Sequence, residues 1–171
     1  NAASAAPAPQ VGVAQRTITY AGGGEYSSHA DQAAQIWNSR VPNIRLVRSS
    51  GGGNINIYVV SGGGSRATIG LGYGTIYLDR LQINQGYSPL RVVTHEMGHT
   101  LSLRDNYNGN CAILMSGGSA GYGCTNPYPS SAEANAVYQA FAYGLVSVPA
   151  ASAEPEWSDD YATPARELVH S

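Results

Sequence analysis

Apolar residues recur along this chain in two rhythms, and each rhythm predicts its own kind of element. Alternation at period two, rich in β-branched residues, predicts short strands at Arg16–Tyr20, Ile44–Arg48, Asn54–Val60 and Thr75–Leu78. Glycine-rich turns separate them, with Ser-Ser-Gly-Gly-Gly ahead of Asn54 and glycines at Gly62–Gly64 and Gly70–Gly74. Spacing of three and four predicts a first helix over Glu25–Arg40, through Ala30, Ala33, Ala34, Ile36 and Trp37. A second, about Pro89–Leu103, buries Leu90, Val93, Met97, Thr100 and Leu101, with Ser88 as N-cap and Pro89 in the first turn. The third starts at Ser130, where Glu133 completes a capping box, and runs through Val137, Tyr138 and Phe141 to a stop at Gly144. A long loop, Arg104–Pro129, joins the last two helices. Three helices and several short strands predict an α+β fold.

Composition adds boundaries to this outline. The 171 residues suffice for one domain with a real core. Residues 1–15 are Ala/Pro-rich and are expected to be flexible or loosely docked, 16–144 hold the predicted elements, and 145–171 form an acidic tail. In that tail five carboxylates face Arg166 alone, a local charge of −4 that leaves +2 elsewhere. A solvated appendage is the expectation from composition, with Trp157 and Tyr161 as the residues able to dock it. Removal of the tail is favoured over its folding across a cleft, with His170 and the acidic residues restraining activity. The net charge of −2 predicts neither nucleic acid nor an anionic membrane as partner, and no apolar run reaches membrane-spanning length. Gly70-Leu71-Gly72-Tyr73-Gly74 lacks the spacing of a phosphate loop and reads as a turn.

Cys111 and Cys124 are the only cysteines and lie in the Gly-rich loop. Two buried thiols or half of a metal site fit poorly with so few cysteines. A disulfide is the better reading, and it implies an oxidising, extracytoplasmic compartment. Closing a loop of this size stabilises by roughly 3 kcal/mol in the chain-entropy view. No basic segment precedes an apolar stretch at the start, so a secreted form would have lost its targeting segment already.

The chemistry concentrates in His95-Glu96-Met97-Gly98-His99, with Asp105 six residues on. Positions i and i+4 share a helix face, so two imidazoles can grip one zinc ion while Glu96 reaches the water that the metal activates. Asp105 lies a short turn beyond the helix and is the candidate third ligand. Three protein ligands, one open position and a carboxylate base describe a hydrolytic zinc site.

With these residues in view, the chain resembles the snapalysin family, small secreted neutral zinc proteinases of actinobacteria among the metzincin-like zincins. The likeness runs from Ala34-Gln35-Ile36-Trp37-Asn38-Ser39 to Tyr143-Gly144. It is densest in the zinc motif, in Leu114-Met115-Ser116-Gly117-Gly118 and in Cys124-Thr125-Asn126-Pro127-Tyr128-Pro129. The resemblance implies a zincin-like fold, with a small twisted mixed sheet, an active-site helix, a Met-turn and a C-terminal helix. It implies His95, His99 and Asp105 as zinc ligands, Glu96 as catalytic base, Met115 as an apolar floor and a Cys111–Cys124 disulfide. Tyr107 corresponds to a tyrosine that helps stabilise the transition state. Two positions depart from the family pattern: Ser102 stands where the motif has Gly, and Arg104 where Pro is usual. A non-Gly residue held in the turn that brings Asp105 to the metal costs on the order of 1–3 kcal/mol. Calcium, which some members bind near the start of the zinc helix, is the weaker expectation, because Tyr87-Ser88-Pro89-Leu90 offers no carboxylate.

The expected protein is therefore a secreted, monomeric zinc metalloendopeptidase acting on proteins or peptides. The resemblance adds a preference for an aromatic residue just after the scissile bond, and an extended substrate is expected to pair near Thr75–Leu78. The competing reading is a catalytically weak or inactive zinc- or peptide-binding module derived from such a protease, favoured by Ser102. A Gly/Tyr-rich structural protein ranks third.

Overall fold

The computed structural model describes residues 14–143 and 154–162. Five strands form one sheet in the order β2-β1-β3-β5-β4: β1 (Arg16–Gly22), β2 (Ile44–Arg48), β3 (Ile55–Val60), β4 (Arg66–Ala67) and β5 (Gly74–Asp79). The first four strands in that order run parallel, and only β4 is antiparallel to its neighbour. The four expected strands are all present. Thr75–Leu78, however, lies inside the sheet, paired on both sides by β3 and β4. It cannot receive a peptide. On that side the sheet's edge strand is the two-residue β4, too short to leave an alternating pattern in the sequence.

Four helices pack with this sheet: α1 (Ser27–Arg40), α2 (Arg80–Asn84), α3 (Pro89–His99) and α4 (Ser131–Ala142). The start expected for α1 is a 3-10 turn at Gly24–Tyr26. Ala30, Ala33 and Ala34 keep the inner face of α1 thin, so Trp37 reaches across and donates from Nε1 to the Thr94 carbonyl of α3 at 3.1 Å. Ile18, Ile44, Ile55, Ile57, Ile76 and Leu78 supply the sheet side of the core, and Val92, Val93, Met97 and Leu101 the helix side. Ser88 caps α3 with Pro89 in its first turn, and Ser130 with Glu133 forms the predicted capping box on α4. The expected stop at Gly144 lies outside the described residues, as do residues 1–13 and His170. Among the described residues, no helix is long and apolar enough to cross a membrane.

The buried carboxylate of Asp79 ties β5 and α2 to the turn before β4. It caps α2 through Leu81 N (3.0 Å) and accepts from the amides of Gly62 (2.7 Å) and Gly64 (2.8 Å). Burial alone would raise its pKa, but these amides outweigh burial and hold the carboxyl below the ordinary carboxylate value. A depressed folded pKa contributes stability above the unfolded value of about 3.9, lost as pH falls through the folded one. Asp79→Asn should therefore lower stability at pH 7 by about 1–3 kcal/mol. In denaturant titrations across pH 7 to pH 2, the gap between the two proteins should close on the acid side of the ordinary carboxylate pKa.

Candidate metal centre and its cleft

Helix α3 carries His95, Glu96 and His99 on one buried face. His95 Nδ1 donates to the Leu114 carbonyl at 3.0 Å and His99 Nδ1 to the Leu103 carbonyl at 2.8 Å. With the ring protons committed there, each Nε2 presents a lone pair, and the two lie 3.2 Å apart. Burial lowers the His95 pKa first of all, which keeps its ring neutral.

The chain then turns sharply. Leu101 N and Leu103 N both return to the Gly98 carbonyl and Ser102 N to that of His99, so the helix ends at His99 and not at Leu103. Ser102 sits at the pivot with φ 91°, the only non-glycine at positive φ among the described residues. The turn expected to need glycine is thus kept, with the strain, by serine. Its product is the position of Asp105, whose Oδ1 lies 3.2 Å from His95 Nε2 and 3.1 Å from His99 Nε2.

Two imidazole lone pairs and a carboxylate oxygen thus face one another at near-contact distance. Asp105 Oδ1 and both oxygens of Glu96 are buried with no hydrogen-bond partner among the described residues. Such a cluster is repulsive unless a cation stands within it. Ligands about 2.0–2.1 Å from a tetrahedral zinc are about 3.3 Å from one another, so the triangle fits that ion. The Glu96 oxygens stand back, 4.0 Å from His95 Nε2 and 3.9 Å from His99 Nε2. Burial, followed by the charges of Asp105 and Asp160, pushes the Glu96 carboxyl well up, and a dication beside it acts the other way.

Met115 lies under this site. A methyl on Gly98 would stand 3.0 Å from Met115 Sδ and 3.2 Å from Trp37 Cζ2, so the glycine permits a tight seat for α3. The Met115 segment is itself clamped. Glu133, read from the sequence only as a cap, accepts from Leu114 N (2.9 Å) and Met115 N (2.8 Å) as well as Ser130 N (2.9 Å). It thereby fixes the carbonyl that orients His95. The fully buried Arg91, unremarked in the sequence, donates to the carbonyls of Asn126 (2.8 Å) and Ile113 (3.2 Å) and to Ser116 Oγ (3.0 Å). Together with the Cys111–Cys124 disulfide it holds the long loop on α3.

Residues 154–162 pass over the metal centre. Glu156 and Ser158 pair with Ile69 N and Ala67 O at 2.8 Å each, antiparallel to the β4 edge. Asp159 N donates to Asp105 Oδ2 at 3.1 Å, and the Tyr107 hydroxyl donates to the Asp160 carbonyl at 2.6 Å. Tyr161 is buried with its ring edge-on to those of His95 and Tyr87, each 5.0 Å away. This part of the tail is docked, contrary to the solvated appendage expected from its composition.

Residues 16–144 match the family described as Streptomyces extracellular neutral proteinase (M7). The extracellular small neutral protease of Streptomyces lividans is 49% identical over 122 residues, covering 70% of this chain and 53% of its own. That of Streptomyces caespitosus is 43% identical over 134 residues, covering 75% of this chain and 98% of its own. The match thus spans about half the length of the first relative and nearly all of the second. Among solved structures, archaemetzincin from Methanopyrus kandleri matches at TM-score 0.48 and 12% identity, over 77% of this chain and 97% of that one. High choriolytic enzyme 1, a hatching enzyme zinc-protease from medaka, matches at TM-score 0.38 and 23% identity, over 52% and 44% of the two chains.

Two substitutions probe this support. Ser102→Gly should relieve the turn and raise stability by about 1 kcal/mol, measured by denaturant unfolding of the metal-free protein. Glu133→Ala should weaken zinc binding about 10–100-fold in a competitive chelator titration, because the Leu114 carbonyl loses its anchor.

Proposed function

Because the chain belongs to the Streptomyces extracellular neutral proteinase (M7) family, we propose that it is a secreted zinc-dependent endopeptidase with its catalytic unit over residues 16–144. The observation that carries this reading is the buried triangle of His95 Nε2, His99 Nε2 and Asp105 Oδ1, with the Glu96 carboxylate set just behind it. These three residues are the proposed zinc ligands. Zinc bound there supplies a Lewis acid that polarises the scissile carbonyl and acidifies water.

The chain's own groups complete the hydrolysis. Glu96 takes a proton from the attacking water as its oxygen joins the carbonyl carbon, then delivers that proton to the departing amine as the C–N bond breaks. The Glu96 oxygens stand 4.0 and 3.9 Å from the two Nε2 atoms, farther back than Asp105 Oδ1 at 3.2 and 3.1 Å, which suits a base better than a ligand. Tyr107, whose hydroxyl already donates to a peptide carbonyl in the cleft, is assigned to the carbonyl oxygen as negative charge develops there. The pocket beside His95 and Tyr87 accepts a tyrosine ring, which supports the preference for an aromatic residue after the scissile bond. Both proposed ligands on α3, the third ligand and the base come from one chain, so a monomer suffices. The disulfide and the extracellular relatives support secretion. Calcium has no part in this reading.

The strained Ser102 favours a second reading, a weak or inactive zinc-binding module in which the third ligand is poorly held. Activity separates the two. Glu96→Gln should lower kcat/KM on a peptide substrate about 100- to 10,000-fold while zinc content is unchanged. Activity within tenfold of the parent would sink the base assignment. Chelation should abolish hydrolysis and added zinc restore it; zinc bound without hydrolysis, in the parent chain and in a Tyr161→Ala chain alike, favours the module.

A further inference from the structure

The peptide-binding cleft of this chain is lined by two walls of backbone. One wall is the edge formed by Ser65, Arg66, Ala67, Thr68 and Ile69; the other is the turn at Ser116–Gly118. Residues 154–162 lie between them and bond to both. On the first wall, Glu156 O accepts from Ile69 N (2.8 Å), Ser158 N donates to Ala67 O (2.8 Å) and Tyr161 N donates to Ser65 O (2.9 Å). On the second, Gly118 N donates to Tyr161 O at 2.6 Å.

Glycines make room for this segment, Gly64 for the Asp160 side chain and Gly118 for the Tyr161 backbone. A methyl on Gly64 would stand 2.5 Å from Asp160 Cβ, and on Gly118 2.8 Å from Tyr161 O. Side chains add three anchors. Tyr161 is buried against His95 and Tyr87, Trp157 stacks on Tyr77 with centroids 5.5 Å apart, and Glu156 pairs with Arg104. The centre of the segment falls on the proposed catalytic groups. The Asp160 carbonyl holds the Tyr107 hydroxyl, the preceding amide is bonded to Asp105, and the following ring rests on His95.

We propose that residues 154–162 are a built-in competitor for the cleft: they lie in the direction and register of a substrate, present the Asp160–Tyr161 bond to the catalytic centre, and must leave before an external peptide binds. Antiparallel addition to a sheet edge is how extended peptides are bound in general, and a covalent tether gives such a segment an effective concentration on the order of millimolar. Residues 154–162 of the acidic tail are therefore a restraint on the protease. This rests on the endopeptidase reading for its meaning but not for its test.

The test measures binding in the full-length, zinc-loaded Glu96→Gln chain, where hydrolysis is suppressed. A fluorescein-labelled peptide of the sequence Glu-Pro-Glu-Trp-Ser-Asp-Asp-Tyr-Ala is titrated by anisotropy against that chain and against the same chain carrying Tyr161→Ala. Removing the anchor should tighten binding at least tenfold. Glu156→Arg, which sets like charge against Arg104 and leaves the pocket alone, should tighten it severalfold and guards against misfolding of the first variant. In the catalytically intact background, Tyr161→Ala should lower KM for an external peptide with kcat unchanged. Unchanged affinity in both variants overturns the proposal. Tighter binding with no hydrolysis in any chain upholds the competitor and defeats the endopeptidase reading instead.

Discussion

Everything around His95, His99 and Asp105 bears on one unfavourable contact. His95 Nε2, His99 Nε2 and Asp105 Oδ1 are held 3.1–3.2 Å apart in a buried place, each with electron density aimed at the others. Neutral imidazoles and a carboxylate do not gather this way for their own stability, since burial of unpaired polar atoms costs free energy that packing must offset. The supports are correspondingly many. Leu114 and Leu103 carbonyls hold the rings, Glu133 holds Leu114, and Met115 carries the helix from below. A cation turns the repulsion into attraction, and any ion bound only by the folded chain adds to its stability in proportion to the logarithm of its concentration over Kd.

Ser102 belongs to the same balance. A residue with a Cβ at φ 91° is tolerated only where surrounding structure over-determines it. Here three hydrogen bonds close the end of α3 around it, from Leu101 N and Leu103 N to Gly98 O and from Ser102 N to His99 O. Strain in the turn and repulsion in the triangle are two halves of one cost, which a cation bound by the three residues would offset. Arg104, the second departure from the family pattern, contributes nothing to that centre. It faces outward and holds Glu156 at the start of the segment lying in the cleft.

What the sequence made legible follows the range of the physics involved. Helix spacing put His95, Glu96 and His99 on one face, and local rules placed Ser88, Pro89, Ser130 and Glu133 at their caps, because these relations span only a few residues. Ser102 could be singled out because positive φ is a local demand. Longer-range relations left no such signal. The β4 edge has two residues and no alternation, whereas Thr75–Leu78 alternates clearly and yet lies inside the sheet. Arg91 bonds loop carbonyls 20 to 35 residues away, which no local spacing encodes. Glu133 was visible in its local role as a cap and invisible in its distant one.

The tail shows why composition misleads at this range. Its charge pattern reads as solvated because each carboxylate, taken alone, prefers water. Binding here depends on the opposite property: the backbone of residues 154–162 supplies donors and acceptors to an unpaired strand edge, and backbone groups are the same for any sequence. Trp157, Tyr161 and Glu156 distinguish this stretch from another acidic loop, the first by stacking on Tyr77, the second by packing beside His95 and the third by pairing with Arg104. A strand edge that can pair with any extended backbone can, by the same physics, pair with a suitably tethered part of its own chain. Selectivity against other loops then rests on Gly118, which admits the Tyr161 backbone closely, on Gly64, which admits the Asp160 side chain, and on the packing of Tyr161 beside His95 and Tyr87.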